Sequence, residues 1–274
     1  MINFNGSLFE EDEKIFNGLN RSFRYGDGLF ESIRVIEGKM PFFGYHFDRI
    51  LRGMKALKMN TPGYFNVHYL RNEISKAIEK QSFCRVRLSV WREEGGFYTP
   101  TTNDIDFLIE TSPLPDRHYQ LNDLGLTIDV FKDHKLQLTS FSNYKTCNGL
   151  PYVLAGIFAK ENSLEDVLML NTEGYVAEGI SSNIFVFKNN QLITPSLSIG
   201  CVGGVMRLVV IELAREEGIE VKESNLTVDN IREADEVFYT NAMQGIRWVE
   251  NFENVRFTND LALRLHEKLR LRTA

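Results

Sequence analysis

Two periods of hydrophobic and polar residues alternate along the chain. From Leu29 to Glu37, β-branched and apolar residues run up to Glu37-Gly38-Lys39, a pattern that predicts a strand and a turn. In HFDRILRGMKALK, Phe47, Ile50, Leu51, Met54 and Leu57 recur at helical spacing, while Arg49, Arg52 and Lys55 fall off that stripe and read as solvated. A second helix is expected from about Val67 to Lys80, with Leu70, Ile74, Ala77 and Ile78 as its apolar face. In CRVRLSVW, Val86, Leu88 and Val90 alternate with Arg85, Arg87 and Ser89, so this strand has one cationic face. IDFLIE continues the sheet. Next, SPLPDRHYQLNDLG carries two prolines, polar residues and a glycine, the composition of an interdomain linker.

We therefore expect a smaller N-terminal α/β domain over 1–117, a linker over 118–124 and a larger C-terminal domain over 125–274 that carries Lys145. In the second half LTIDVF alternates like a strand, and Leu150 to Lys160 has a helical stripe of Val153, Leu154, Ile157 and Phe158. VLMLN, the turn Thr172-Glu173-Gly174, NIFVFK, the turn Asn189-Asn190 and QLIT predict hairpins. A long helix should begin after Gly203-Gly204, pass through VMRLVVIELAREE and stop at Gly218, where glycine can take the left-handed cap conformation. EVFYT is one more strand. The last helix, with Leu261, Leu265 and Leu269 on its stripe, is expected to take Thr258 as its N-cap. Strands and helices interspersed in two halves imply an α/β, or α+β, layered fold.

Composition narrows the function classes. With 274 residues, 43% hydrophobic and 25% charged, the chain can bury a substantial core. Its net charge of -6 argues against nucleic acid as partner but leaves room for a local anion pocket. No apolar run is long enough for a membrane span, and MINFNGSLFEEDEK lacks the marks of a signal peptide, so a cytoplasmic protein is expected. Cys84, Cys147 and Cys201 are far apart and read as free thiols, and no metal site is expected. There is no GxxxxGK[ST], HExxH or GxSxG, and Gly26-Asp27-Gly28 reads as a tight turn rather than a dinucleotide loop.

Six segments in order carry a more specific signal: FRYGDGLFESIRV at 23–35, YHFDRI at 45–50, SNYKTCNGLPYVLA at 142–155, VAEGISSNIFVF at 176–187, GCVGGVMR at 200–207 and ADEVFYTNAMQGI at 234–246. Together they resemble the class IV, or fold-type-IV, pyridoxal phosphate enzymes, and the resemblance implies that two-domain fold, that cofactor and a homodimer. It makes Lys145 the catalytic lysine that condenses with the cofactor aldehyde and moves protons at the substrate. By the same resemblance Glu178 holds the pyridine nitrogen protonated. The phosphate falls to Arg49, Ser181 or Ser182 and the N–H groups of Gly204, Val205 and Met206 at a helix start, with Asn241 and Ala242 on the last site-forming strand. The cationic strand face, Arg85 and Arg87, with Arg92 just beyond it, suits a substrate carboxylate; by position relative to the D-amino-acid transaminases Arg92 is preferred, with Arg34 and Tyr25 as neighbours.

The family holds branched-chain transaminases, D-amino-acid transaminases and 4-amino-4-deoxychorismate lyases, so the fold does not decide the reaction. GVMR, with Met206 where many transaminases of the family have threonine, Thr240-Asn241-Ala242, and the ending RFTNDLALRLHEKL all look more like the lyases. Ser181-Ser182-Asn183 is shared with D-amino-acid transaminases and speaks for the alternative. A protein that binds the cofactor without turnover is a third reading, against which the intact Lys145 and Glu178 speak.

Overall fold

A computed structural model describes residues 1–79, 81–115 and 118–274. The chain divides into two compact units: Met1–Arg117 with Tyr144–Asn148, and His118–Asn143 with Gly149–Ala274.

The first unit contains β1 (Ile2–Phe4), β2 (Ser7–Phe9), α1 (Arg21–Tyr25), β3 (Gly28–Val35), α2 (Phe43–Ala56), α3 (Val67–Ile78), β4 (Cys84–Arg92) and β5 (Ile105–Pro113). Its sheet runs in the order β2-β1-β5-β4-β3, every pair antiparallel. Alternation decides the faces. Leu29, Ile33, Val35, Val86, Leu88 and Val90 join Ile50 and Met54 of α2 and Leu70 and Ile74 of α3 in one core. On the opposite face Ser32 pairs with Arg87 and Arg34 with Arg85. α3 is capped by Asn66, whose side chain accepts from His68 N and Tyr69 N. The expected helix end at Lys80 lies outside the described residues.

The lysine segment belongs to this unit, which corrects its expected place in the C-terminal domain. β3 is an edge strand, and edge strands leave backbone groups to be satisfied. Phe30 N donates to Lys145 O (2.8 Å) and Cys147 N to Gly28 O (2.9 Å), so the segment completes that edge.

The second unit contains β6 (Leu126–Leu136), α4 (Leu150–Glu161), β7 (Asp166–Asn171), β8 (Val176–Glu178), β9 (Asn183–Lys188), β10 (Gln191–Pro195), α5 (Val205–Glu216), β11 (Glu220–Ser224), α6 (Val228–Arg232), β12 (Glu236–Asn241), β13 (Gly245–Phe252), β14 (Val255–Arg256) and α7 (Asp260–Thr273). Its sheet runs β11-β10-β9-β12-β13-β6-β7-β8, with β14 on β13. The pairs β10–β11, β13–β6 and β6–β7 are parallel. The β9–β10 hairpin turns on Asn189 and Asn190, both at positive φ (50° and 59°), as the Asn-Asn pair predicts. α5 stops before Gly218 (φ 73°).

In this unit two expectations change, and the expected linker, residues 118–124, is tied down: Tyr119 is buried and donates to Ala242 O, while Asn122 Nδ2 donates to Trp248 O and Asn122 O accepts from Trp248 Nε1. The expected end of the first domain at residue 117 lies outside the described residues. Thr258 does not cap α7; the Glu236 carboxylate accepts from Leu261 N (2.8 Å) and Ala262 N (3.1 Å) instead. Of the apolar stripe of α4, Phe158 packs against the core, and Val153, Leu154 and Ile157 do not. Ala155 and Ala159 do, and their small side chains let the helix lie close to its neighbours. Leu150, Val153, Leu154 and Ile157 are left between 44% and 68% exposed.

Among the described residues, no helix is long and apolar enough to cross a membrane.

Candidate active site

In the first unit the site is built on β3, α2 and the lysine segment. Glu31 shares the core face of β3 with Leu29 and Ile33, where a lone charge would be costly, so it must find partners. His46 and Arg49, three residues apart on α2, provide them. Arg49 Nε donates to Glu31 Oε1 at 2.7 Å, Arg49 Nη2 reaches Oε2, and His46 Nδ1 lies 2.7 Å from Oε2. Burial pushes the Glu31 carboxyl up, but Arg49 and His46 outweigh it and bring it down to about 2. Burial lowers the His46 pKa, and Arg49 and Lys145 add to that against the pull of Glu31, so the imidazole stays neutral. Arg49 is therefore a buried residue held in place, not the solvated helix arginine its position off the stripe suggests.

Lys145 Nζ lies 4.6 Å from the centre of the Phe30 ring, and the Arg87 guanidinium 3.9 Å from the same centre. Two cations thus share one aromatic ring on the polar face of the sheet. Arg85 lies two residues from Arg87 on that face and reaches Ser32 Oγ at 3.4 Å. Arg34, opposite Arg85, is buried there. Tyr25 packs against Tyr98 (5.4 Å between ring centres) and under Arg21.

Arg92 has a different task from the one expected of it. Its Nε and Nη2 bind Asp27, Nη1 reaches Asn103 and Lys58 O, and Nη2 also donates to Leu57 O. A guanidinium with its donors spent on protein acceptors has none to give to a substrate carboxylate. Asp27 also accepts from Arg21 Nε, so Gly26-Asp27-Gly28 is a turn whose acid ties two arginines.

In the second unit Glu178 closes β8 and is buried. Oε1 accepts from the Tyr152 hydroxyl at 2.7 Å, and Oε2 from Val202 N at 3.0 Å, with Asn183 Nδ2 at 3.5 Å. Asp166 holds the loop that follows, accepting from Ile180 N and Val167 N, both at 2.8 Å. Ser182 Oγ accepts from Asn241 Nδ2 at 3.0 Å, so the serine pair and the end of β12 meet; Ser181 is exposed.

The start of α5 fits a phosphate. Its N-cap is Gly204 and no side chain caps it, so the first-turn N–H groups are presented to an anion. A Cβ at Gly204 would stand 1.9 Å from Asn183 Oδ1, so this approach requires glycine. Val205 and Met206 are buried, which leaves Met206 its backbone N–H to offer and no hydroxyl.

Residues 28–252 match the family model for amino-transferase class IV. The chain belongs to that family. This class IV enzyme is 27% identical over 267 residues to the aminodeoxychorismate lyase of Bacillus subtilis, covering 94% of this chain and 88% of that one. It is 26% identical to the D-alanine aminotransferase of Bacillus licheniformis, over 86% and 83% of the two chains. The structure of the branched-chain amino acid aminotransferase of Escherichia coli superposes with a TM-score of 0.89 at 22% identity, over 98% and 92%. The fold is fold-type IV, and pyridoxal phosphate is the cofactor.

Glu31, His46, Tyr152 and Asn183 were missed as site residues. Glu31 had left a signal: an acid at a core-parity position of an apolar strand needs a buried partner, and His46-x-x-Arg49 offers two on one helix face.

Proposed function

We propose that this class IV enzyme is a 4-amino-4-deoxychorismate lyase, which eliminates pyruvate to give 4-aminobenzoate for folate synthesis. The observation that carries this reading is the pair Arg85 and Arg87 on one sheet face, with Arg87 and Lys145 over the same Phe30 ring. A substrate with two carboxylates can use two guanidinium groups, whereas a branched-chain amino acid or alanine brings one carboxylate. Met206, Asn241-Ala242 and the likeness to the Bacillus subtilis lyase over most of both chains agree.

Arg49, Ser182 with Ser181, and the amides of Gly204, Val205 and Met206 would hold the phosphate, with Asn241 and Ala242 beside them. Glu178 would hold the ring nitrogen. The bound cofactor supplies an electron sink for the pair left at the substrate carbon. Lys145, as a free amine, would take the proton from the ring carbon that bears the amino group. The bond from the neighbouring ring carbon to the enolpyruvyl ether oxygen then breaks, the leaving enolpyruvate takes up a proton at its methylene carbon to become pyruvate, and the ring is left aromatic, a strong driving force. Arg87 and Arg85 orient the carboxylates while this happens. The exposed apolar stripe of α4, Leu150, Val153, Leu154 and Ile157, supports a homodimer, since a monomer would leave a continuous apolar row in water.

A transaminase is the second reading, favoured by Ser181-Ser182-Asn183 and by nearly equal identity to the D-alanine enzyme. Elimination needs no keto acid; transamination of a donor alone stops after one half-reaction. Purified enzyme is therefore given 4-amino-4-deoxychorismate and, separately, D-alanine, L-leucine and L-glutamate, each with and without 2-oxoglutarate. Multiple turnovers to 4-aminobenzoate and pyruvate without acceptor are expected. Turnover only with a keto acid, and no 4-aminobenzoate, would sink the lyase. Borohydride reduction followed by peptide mapping checks that Lys145 carries the cofactor.

A further inference from the structure

We propose that Tyr152 is a positioning residue for the reaction: its hydroxyl, donated to Glu178, sets the orientation and proton affinity of the carboxylate that faces the cofactor ring. This rests on the reading of Glu178 as the ring-nitrogen partner. The phenol oxygen stands 2.7 Å from Glu178 Oε1, while Oε2 is held by Val202 N at 3.0 Å. The carboxylate is thus gripped on both oxygens, once by a backbone amide of the loop leading to α5 and once by a side chain of α4.

A phenol grips in this way only while it keeps its proton. Burial, and next the Glu178 charge, push the Tyr152 pKa far up, so the O–H remains a donor at any working pH. A donor to a carboxylate lowers its appetite for a second proton. Without Tyr152 the Glu178 carboxylate becomes more basic and freer to rotate, and both changes reach the ring nitrogen it holds. Tyr152 also packs at the edge of the Phe131, Ala155 and Met169 core, so a purely structural role is the reading to exclude.

The test uses the loaded enzyme and four proteins: wild type, Tyr152→Phe, Glu178→Gln and the double variant. The pH titration of the bound cofactor's visible absorbance is followed, with cofactor Kd and turnover beside it. Tyr152→Phe should move the titration midpoint by about 0.3–1 unit. It should lower kcat about fivefold or more while KM stays within about twofold. In the Glu178→Gln background it should produce no further shift. Replacing Tyr152 by 3-fluorotyrosine, a stronger donor of nearly the same shape, should move the midpoint the opposite way, and this arm stands alone if the Phe variant does not fold. An unmoved midpoint in the Phe or fluorotyrosine protein overturns the proposal, as does an equal shift with Glu178→Gln present. If Glu178→Gln itself leaves midpoint and turnover at wild-type values, the assignment of Glu178 has failed, a result distinguishable from failure of Tyr152.

Discussion

Glu31 and Asp166, one buried acid from each unit, titrate in opposite senses. Glu31 is held by Arg49 and His46 at about 2, below its ordinary 4.5. Its contribution to stability is thus fully present above pH 4.5 and is lost as pH falls through about 2. That shift corresponds to about 3 kcal/mol. Glu31→Gln should cost stability of that order at pH 7, because Arg49 keeps a buried charge without its counter-ion, and its urea midpoint should vary less between pH 4.5 and 2. A Gln variant with the wild-type acid profile would contradict this. Asp166 goes the other way: burial raises it from 3.8 to about 6 against two backbone donors. Its favourable contribution is present below pH 3.8 and lost as pH rises through about 6. Asp166→Asn keeps an acceptor for Val167 N and Ile180 N and removes the buried charge. It should therefore be more stable than wild type at pH 7.5, by up to about 3 kcal/mol, with the gain shrinking towards pH 4. Urea unfolding of the cofactor-free protein at both pH values reads this out; a gain independent of pH would point elsewhere.

At the scale of elements, two helices depart from what their own residues suggest. α7 has an N-cap, Asn259, that makes no side-chain cap bond, and a threonine beside it that looks like a better one. The first-turn amides go to Glu236 on β12 because that carboxylate, buried between strand and helix, reaches two of them at once. Glu236→Ala should cost about 1–2 kcal/mol and Thr258→Ala under about 0.5, measured by urea unfolding. A threonine variant as damaging as the glutamate variant would restore the sequence-based cap. In α4 helical spacing correctly marks an apolar face, but spacing cannot say whether that face meets the chain's own core or something else. The fully buried residues of α4 are the alanines at 155 and 159, with Tyr152 and Phe158 packed beside them.

For the whole molecule, that outward stripe is the most direct pointer to its assembly. Light scattering should give twice the monomer mass, and Val153→Asp with Ile157→Asp should shift the protein towards monomer at micromolar concentration, since a charge in an apolar contact is desolvated without a partner. A wild-type monomer, or a dimer indifferent to both substitutions, would assign the stripe to another role.

From the sequence alone, the strands, most helices, the family and the chemical class of the site were legible, because each depends on local spacing or on motifs a few residues long. Period 2 in CRVRLSVW, Asn189-Asn190 in a hairpin, Gly218 at a helix end and the lysine and glutamate segments need no distant partner to be read. What only the tertiary structure decided depends on who meets whom across many residues. Arg92, only five residues from Arg87 in sequence, is spent on Asp27 and Asn103, while Arg87 shares the Phe30 ring with Lys145. Both are arginines of one strand, and spacing cannot tell a guanidinium whose donors are spent on Asp27, Asn103 and two carbonyls from one that lies over an aromatic ring. The same holds for Arg49, whose burial follows from an acid on β3, and for the lysine segment, which follows β6 in sequence but completes the edge of β3. Buried charges and sheet edges must be satisfied by whatever the fold brings near, and that is a property of the folded chain.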